Sequence, residues 1–278
     1  MTASPSILVF DSGLGGLTVH REVAKARPDA RLVYAADDAF FPYGRHGEPE
    51  LIARVVMVMG ELIDIYQPHI VVVACNTAST IVLPELRARF GVPFVGTVPA
   101  IKPACAASQS KLVSVLGTMG TVKREYTHGL IRDFAQGCAV TLIGSPRLAE
   151  IAEGALKDEP VSDSEIAHEI APCFVEKDGA RTDTVVLACT HYPLLLDWLN
   201  RLAPWPVQFI DPAPAIARRV TDLLGPATSG QPEPARLHFT SGKPPSTALQ
   251  AALRRFGIAA EGPETAVPAA PRAAAAGV

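Results

Sequence analysis

Two short segments of this chain, Val71-Val72-Val73-Ala74-Cys75-Asn76-Thr77 and Val185-Val186-Leu187-Ala188-Cys189-Thr190-His191, are near copies of each other. Each is an apolar run that ends in a cysteine followed by small hydrogen-bonding residues. A free thiol has a pKa of about 8.5, lowered by a helix N-terminus or a nearby cation, so thiol and thiolate are both accessible near neutrality. One thiol on either side of a single cleft suits chemistry that removes a proton from one face of a carbon and delivers another to the opposite face. The two groups exchange the roles of base and acid when the reaction runs backwards. His191 titrates near neutrality and could exchange a proton with Cys189 or with a substrate. Cys105, Cys138 and Cys173 lack this setting and read as small buried hydrophobes.

Elements that could bring two such thiols together are legible around them. Apolar runs rich in β-branched residues suit strands buried on both faces of a parallel sheet, and open α/β sheets bind ligands at the strands' carboxyl ends. Strands are expected at 7–11, 32–35, 70–75 and 94–97, with helices at 17–26, 49–66 and 78–90 between them. A second series of strands follows at 112–118, 139–144, 184–189 and 207–211, with helices at 126–135, 146–157 and 164–175, the last interrupted by Pro172. This alternation predicts an α/β fold of open, mainly parallel sheets flanked by helices. Boundaries near Val98-Pro99 and Asp211-Pro212 divide the chain into a discontinuous first domain, 1–98 plus 211–260, and a second, 99–210. Residues 236–240 would return as an edge strand, and the Ala/Pro-rich stretch 261–278 reads as a tail without a core.

Composition narrows the class of protein. With 278 residues, 48% hydrophobic content and a net charge of −3, the chain can build two modest cores and carries no electrostatic footprint for nucleic acid or an anionic membrane. The start has no basic segment and no apolar span long enough for a membrane helix, which points to the cytoplasm. Five cysteines, an odd number, show no CxxC or zinc-type Cys/His spacing, and reduced thiols are expected.

The first strand runs into Asp11-Ser12-Gly13-Leu14-Gly15-Gly16-Leu17-Thr18, a glycine-rich turn opening a helix. Free N–H groups and the helix dipole at such a turn could hold a carboxylate or a phosphate. As a dinucleotide fingerprint it is incomplete: Asp37 lies suggestively downstream, but Thr18 stands where a third glycine belongs. Asp11 could pair with a substrate ammonium, tune Cys75, or only cap the turn.

The glycine-rich segment, Pro42-Tyr43-Gly44, Ala74-Cys75-Asn76-Thr77-Ala78 and Ala188-Cys189-Thr190-His191-Tyr192-Pro193-Leu194-Leu195 together resemble the glutamate racemases, in order and at suitable spacing. The stretches 98–104, 116–121 and 210–217 extend the likeness over about residues 6–220. The resemblance implies two pseudo-symmetric α/β domains with the active site in the cleft between them. It also implies cofactor-independent racemisation of glutamate, a homodimer, and a D-glutamate product that feeds peptidoglycan synthesis. Cys75 would take the proton from D-glutamate and Cys189 from L-glutamate, with Asp11, His191 and Glu153 in support. Glu150 competes with Glu153 for the same place. Ser145 departs from the family, where many relatives have cysteine.

Glutamate brings two carboxylates and one ammonium. Ser12, Asn76, Thr77, Thr118, Thr121 and Thr190 offer short donors, and Tyr43 and Gly44 would wall the pocket by resemblance. Carbanion stabilisation then rests on preorganised donors and exclusion of water, with neither a metal nor an electron-sink cofactor in the scheme. Three other readings share these features: an aspartate or hydantoin racemase of the same superfamily, a non-catalytic amino-acid-binding module, and a nucleotide-dependent oxidoreductase built on the glycine loop.

Overall fold

The computed structural model describes residues 4–228 and 230–259, so the tail expected from residue 261 lies outside the described residues. Its first series of elements is β1 (Ser6–Asp11), α1 (Leu17–Ala26), β2 (Arg31–Ala36), α2 (Glu48–Tyr66), β3 (Ile70–Val73), α3 (Asn76–Arg89) and β4 (Phe94–Gly96). The second begins with α4 (Ile101–Ala107), β5 (Leu112–Thr118), α5 (Met119–Val122), α6 (Glu125–Phe134), β6 (Ala139–Ser145), α7 (Leu148–Leu156) and α8 (Asp163–Ile170). After a small hairpin, β7 (Glu176–Lys177) and β8 (Ala180–Arg181), come β9 (Thr184–Ala188), α9 (Leu196–Leu202) and β10 (Gln208–Ile210). The chain closes with α10 (Ala213–Leu224), β11 (Arg236–Phe239) and α11 (Thr247–Arg255).

The strands form two sheets, ordered β11-β2-β1-β3-β4 and β10-β9-β5-β6, and every pairing within them is parallel. Both are buried on both faces. Along β1, Ile7 and Val9 enter one apolar cluster while Leu8 and Phe10 enter the other, as the strand's two-residue period requires. In the second sheet Val185 and Leu187 face one cluster, Val186 and Ala188 the opposite one. Each fully buried side chain of this size contributes about 1.5–3 kcal/mol, which is why continuous Val/Ile/Leu runs settle as central strands. Helix α2 completes one layer by burying Leu51, Val55, Val58, Met59 and Leu62, a stripe at helical spacing.

Chain reversals at β1 and β5 place neighbours reached by opposite crossovers on either side of these strands. Such switch points open a crevice at the strands' carboxyl ends. The expected late edge strand is β11, paired with β2, and α10 packs on α1, so the end of the described chain returns to the first sheet.

Several local expectations are corrected. Strand β3 stops at Val73 and β9 at Ala188, so neither cysteine lies in a strand: Cys75 holds an extended conformation directly ahead of α3, and Cys189 opens a turn. The helix after Cys75 starts at Asn76, not at residue 78. Thr118 ends β5 and caps α5, its hydroxyl accepting the Thr121 N–H at 3.1 Å. Helix α8 ends at Ile170 and Pro172 falls in a 3₁₀ turn, because proline has no N–H to continue the ladder. Among the described residues no helix is long and apolar enough to cross a membrane.

Candidate active site

Strand ends from both sheets converge on one buried cavity. It is lined by Ser12, Phe41, Pro42, Tyr43, Gly44, Cys75, Asn76, Thr77, Thr118, Ala149, Cys189, Thr190 and His191, so both thiols face it. The volume open to water is about 20 Å³, room for one water and far too little for an amino acid. A bound amino acid would need more room than this arrangement of the lining residues leaves.

Residues expected at the site divide into two layers. Ser12, Tyr43, Gly44, Asn76, Thr77, Thr118, Thr190, Cys75, Cys189 and His191 line the cavity, whereas Asp11, Glu153 and Thr121 stand behind the lining. Phe41 and Ala149 are lining residues that the sequence analysis missed, and Pro42, quoted only as part of a motif, is a third. Phe41 and Pro42 lie just before Tyr43 in the chain and Ala149 adjoins Glu150, but apolar side chains carry no chemical signature.

The glycine-rich turn does not offer its N–H groups to an anionic ligand, contrary to one expectation. Its own protein occupies them. Gly13 and Gly16 donate to Asp11 Oδ2 at 3.2 and 3.1 Å, and Leu14 donates to Glu153 Oε1 at 2.8 Å. The Gly15 N–H points at His191 Nε2, 3.2 Å away, which can accept it only when that nitrogen carries no proton. Glycine is needed here for approach: a Cβ at Gly13 would lie 2.1 Å from Glu153 Oε1, and one at Gly15 only 2.4 Å from His191 Nδ1. The turn thus locks the two halves together around the site, which leaves the nucleotide reading without its phosphate cradle.

Cys189 and Cys75 are served differently. Cys189 Sγ lies 3.8 Å from His191 Nδ1, and His191 Nε2 lies 3.0 Å from Glu153 Oε1. A carboxylate can only accept, so the proton belongs on Nε2 for that contact to attract. Burial alone would lower the His191 pKa, but the Cys189 and Glu153 hydrogen bonds outweigh it and hold the ring well above its ordinary value. Glu153 is correspondingly depressed: its burial is outweighed by His191, the Leu14 N–H and Lys157. Glu150 instead pairs with Arg45 across the outer rim, so of the two competing glutamates Glu153 is the one at the site.

Cys75 Sγ donates to Ser12 Oγ at 3.6 Å and has no cationic partner. Burial, then the neighbouring Asp11 charge, push its thiol up to about 12, against a smaller pull from the Ala78 N–H in the first turn of α3. Asp11 is fully buried. Burial raises its pKa against the opposing pull of His191 and the Gly16 and Gly13 amides, and its Oδ1 accepts from Thr190 Oγ1 at 3.3 Å. In the closed site one thiol therefore rests protonated while the other has an imidazolium at hand.

Donors for a substrate cluster between the thiols. The Thr77, Thr118 and Thr121 hydroxyls form a triangle with sides of 3.3, 3.4 and 3.0 Å. Asn76 lines the cavity with both side-chain polar atoms buried and unpartnered, an arrangement that costs stability unless a ligand supplies partners. Among the described residues no group of three or more His, Cys, Asp or Glu side chains is placed to hold a metal ion.

Comparison with known proteins places this geometry. A family model for Asp/Glu/hydantoin racemases matches residues 18–220. The glutamate racemase of Brucella canis is 54% identical over 256 residues, covering 91% of this chain and 92% of the relative. The fold is similar to that of Escherichia coli glutamate racemase, crystallised with L-glutamate and the activator UDP-MurNAc-ala, with a TM-score of 0.83 and 40% identity over 91% of this chain and 96% of that one. Glutamate racemase isoform RacE1 of Bacillus anthracis gives a TM-score of 0.75 at 26% identity, covering 91% and 94%.

Proposed function

Since this chain belongs to the Asp/Glu/hydantoin racemase family and is an amino-acid racemase of the glutamate racemase kind, we propose that it interconverts L- and D-glutamate by passing protons between Cys75 and Cys189. The observation that carries this reading is the one cavity lined by both thiols, with His191 beside Cys189 and the Ser12 hydroxyl beside Cys75.

With L-glutamate bound, Cys189 as thiolate removes the α-proton while His191, held by Glu153, balances the negative charge before transfer. The Cys75 thiol then protonates the opposite face of the planar carbanion. With D-glutamate the roles reverse, so Cys75 must ionise first despite its burial. The substrate ammonium, brought close to Asp11 and Cys75, would supply the missing positive charge. The Thr77, Thr118 and Thr190 hydroxyls and the Asn76 amide are the donors for substrate carboxylates, and they stabilise the enolate-like carbanion as charge moves onto its oxygens. A substrate that fills the space between the buried thiols would leave little water to quench the exchange.

The remaining expectations stand as part of the proposal. Residues 1–98 with 211–260 form one α/β domain and 99–210 the other, supported by the return of β11 and α10 to the first sheet. The protein acts in the cytoplasm as a homodimer, and its D-glutamate enters peptidoglycan synthesis. The muramyl nucleotide bound as an activator by the E. coli relative supports that destination. The testing experiment is circular dichroism of D-glutamate, and separately L-glutamate, incubated with reduced, dialysed protein and no added cofactor. Both signals should decay to zero while a D-aspartate control holds, and Cys75→Ser or Cys189→Ser should stop the decay with the fold retained. A decaying aspartate signal would move the assignment to a related racemase, and no decay at all would end the two-thiol reading.

A further inference from the structure

Asp37 is a fully buried carboxylate outside the thiol pair and its His191–Glu153 support. It follows β2, and its N–H donates to the Asp11 carbonyl at 2.9 Å, which sets it at the carboxyl edge of the first sheet. Four donors converge on it from three parts of the chain. Tyr43 Oη donates to Oδ2 at 2.7 Å and Arg54 Nε to the same oxygen at 3.0 Å. Arg54 Nη2 and Thr240 Oγ1 each donate to Oδ1 at 2.6 Å. A carboxylate offers about four lone-pair sites, so every acceptor position is filled. The Arg54 guanidinium balances the buried charge and also lies over the Phe40 ring, 5.7 Å from its centroid.

We propose that Asp37 is a positioning residue for the racemisation, holding the Tyr43 ring as the wall of the cavity on the Cys75 side. The inference rests on the reading of this cavity as the racemisation site. Tyr43 is 1% exposed and packs in the same apolar cluster as Cys75, while the following residue, Gly44, faces Thr118 across the cavity. Its ring is thus fixed at one end by packing and at the other by the Asp37 bond. A wall residue of this kind shapes the substrate's place without touching the reacting atoms, so its loss weakens ground-state and transition-state binding alike. Arg54 from α2 and Thr240 from the end of β11 hold the carboxylate itself. In this way the last strand of the first sheet, far from the cavity in sequence, is connected to the site.

The test is a double-mutant cycle in the full-length protein, with Asp37→Asn, Tyr43→Phe and the double variant, reading KM and kcat for glutamate beside the urea unfolding midpoint. Each single change should raise KM by about tenfold with kcat within about threefold, and the double variant should raise KM no further than Asp37→Asn alone, because loss of the carboxylate already frees the ring that Tyr43→Phe frees. A double variant whose loss is the product of the two singles overturns the proposal, as does an Asp37→Asn protein with a lowered unfolding midpoint and unchanged KM. Should Asp37→Asn fail to fold, Tyr43→Phe decides alone: an unchanged KM refutes the positioning role. A wild-type protein that does not racemise glutamate refutes the reading of the site on which this inference rests, an outcome distinct from the failure of the cycle.

Discussion

Replacing Glu153 by glutamine would test the support given to Cys189. The substitution keeps the shape, and the amide oxygen can still accept the Leu14 N–H that now reaches Oε1 at 2.8 Å. It removes the charge facing His191 Nε2 at 3.0 Å, between side chains only 10% and 3% exposed. A hydrogen bond to a charged group contributes about 1.5–3 kcal/mol. At about 1.36 kcal/mol per decade, kcat/KM should fall about 10- to 150-fold. L- and D-glutamate have equal free energies in water, so the two directions must lose kcat/KM by the same factor, and any asymmetry can appear only in kcat and KM separately. Because Glu153 helps to raise the His191 pKa, the limb of the pH–rate profile due to His191 should move to lower pH. Stability follows the same sign. A raised histidine pKa stabilises the fold fully below its ordinary value of 6.5 and loses that contribution as pH rises through the raised value, so the variant should lose most stability on the acid side. Initial rates by circular dichroism from either enantiomer across pH, with urea melts in parallel, measure all of this. A variant within threefold of wild type at every pH would refute the reasoning and leave Glu153 as a cap on the glycine turn.

Two further perturbations probe the frame around the site. Gly15→Ala would place a methyl 2.4 Å from His191 Nδ1 and 2.7 Å from the His191 backbone nitrogen. It should destabilise the fold by about 1–3 kcal/mol and lower kcat as well, and a variant with wild-type melting and turnover would show that the turn can yield. Asp183 joins the start of β9 to the loop before β5. Four donors, Ser108 Oγ at 2.6 Å, the Gln109 and Ser110 amides at 2.7 Å each and Thr184 Oγ1 at 2.9 Å, outweigh its burial and lower it from 3.8 to about 2. Its contribution is present above pH 3.8 and lost as pH falls toward 2, so Asp183→Asn should be less stable at neutral pH and show a flatter loss of stability in acid. Urea midpoints at pH 7 and pH 3 that change equally in the two proteins would contradict this.

What the sequence determined by itself was local or repeated. The paired apolar runs ending in Cys75 and Cys189 announced buried parallel strands and two thiols, because two-faced burial demands β-branched residues at successive positions. Glycines in a strand-to-helix turn announced a close approach, and the motif order pointed to the family. Contacts between residues remote in the chain were a different matter. Nothing near Glu153 distinguishes it from Glu150, since both sit on α7 and only packing of that helix against the glycine turn decides which one meets His191. Periodicity likewise could not say that the glycine-turn amides of Gly13, Leu14 and Gly16 would be spent on Asp11 and Glu153 instead of a ligand. The four donors on Asp37 come from positions 43, 54 and 240, a convergence set by sheet order. The different surroundings of the two thiols were equally out of reach. Their sequence surroundings are nearly identical, and the difference arises from an imidazolium beside Cys189 and from desolvation and a carboxylate beside Cys75, both products of the closed tertiary structure.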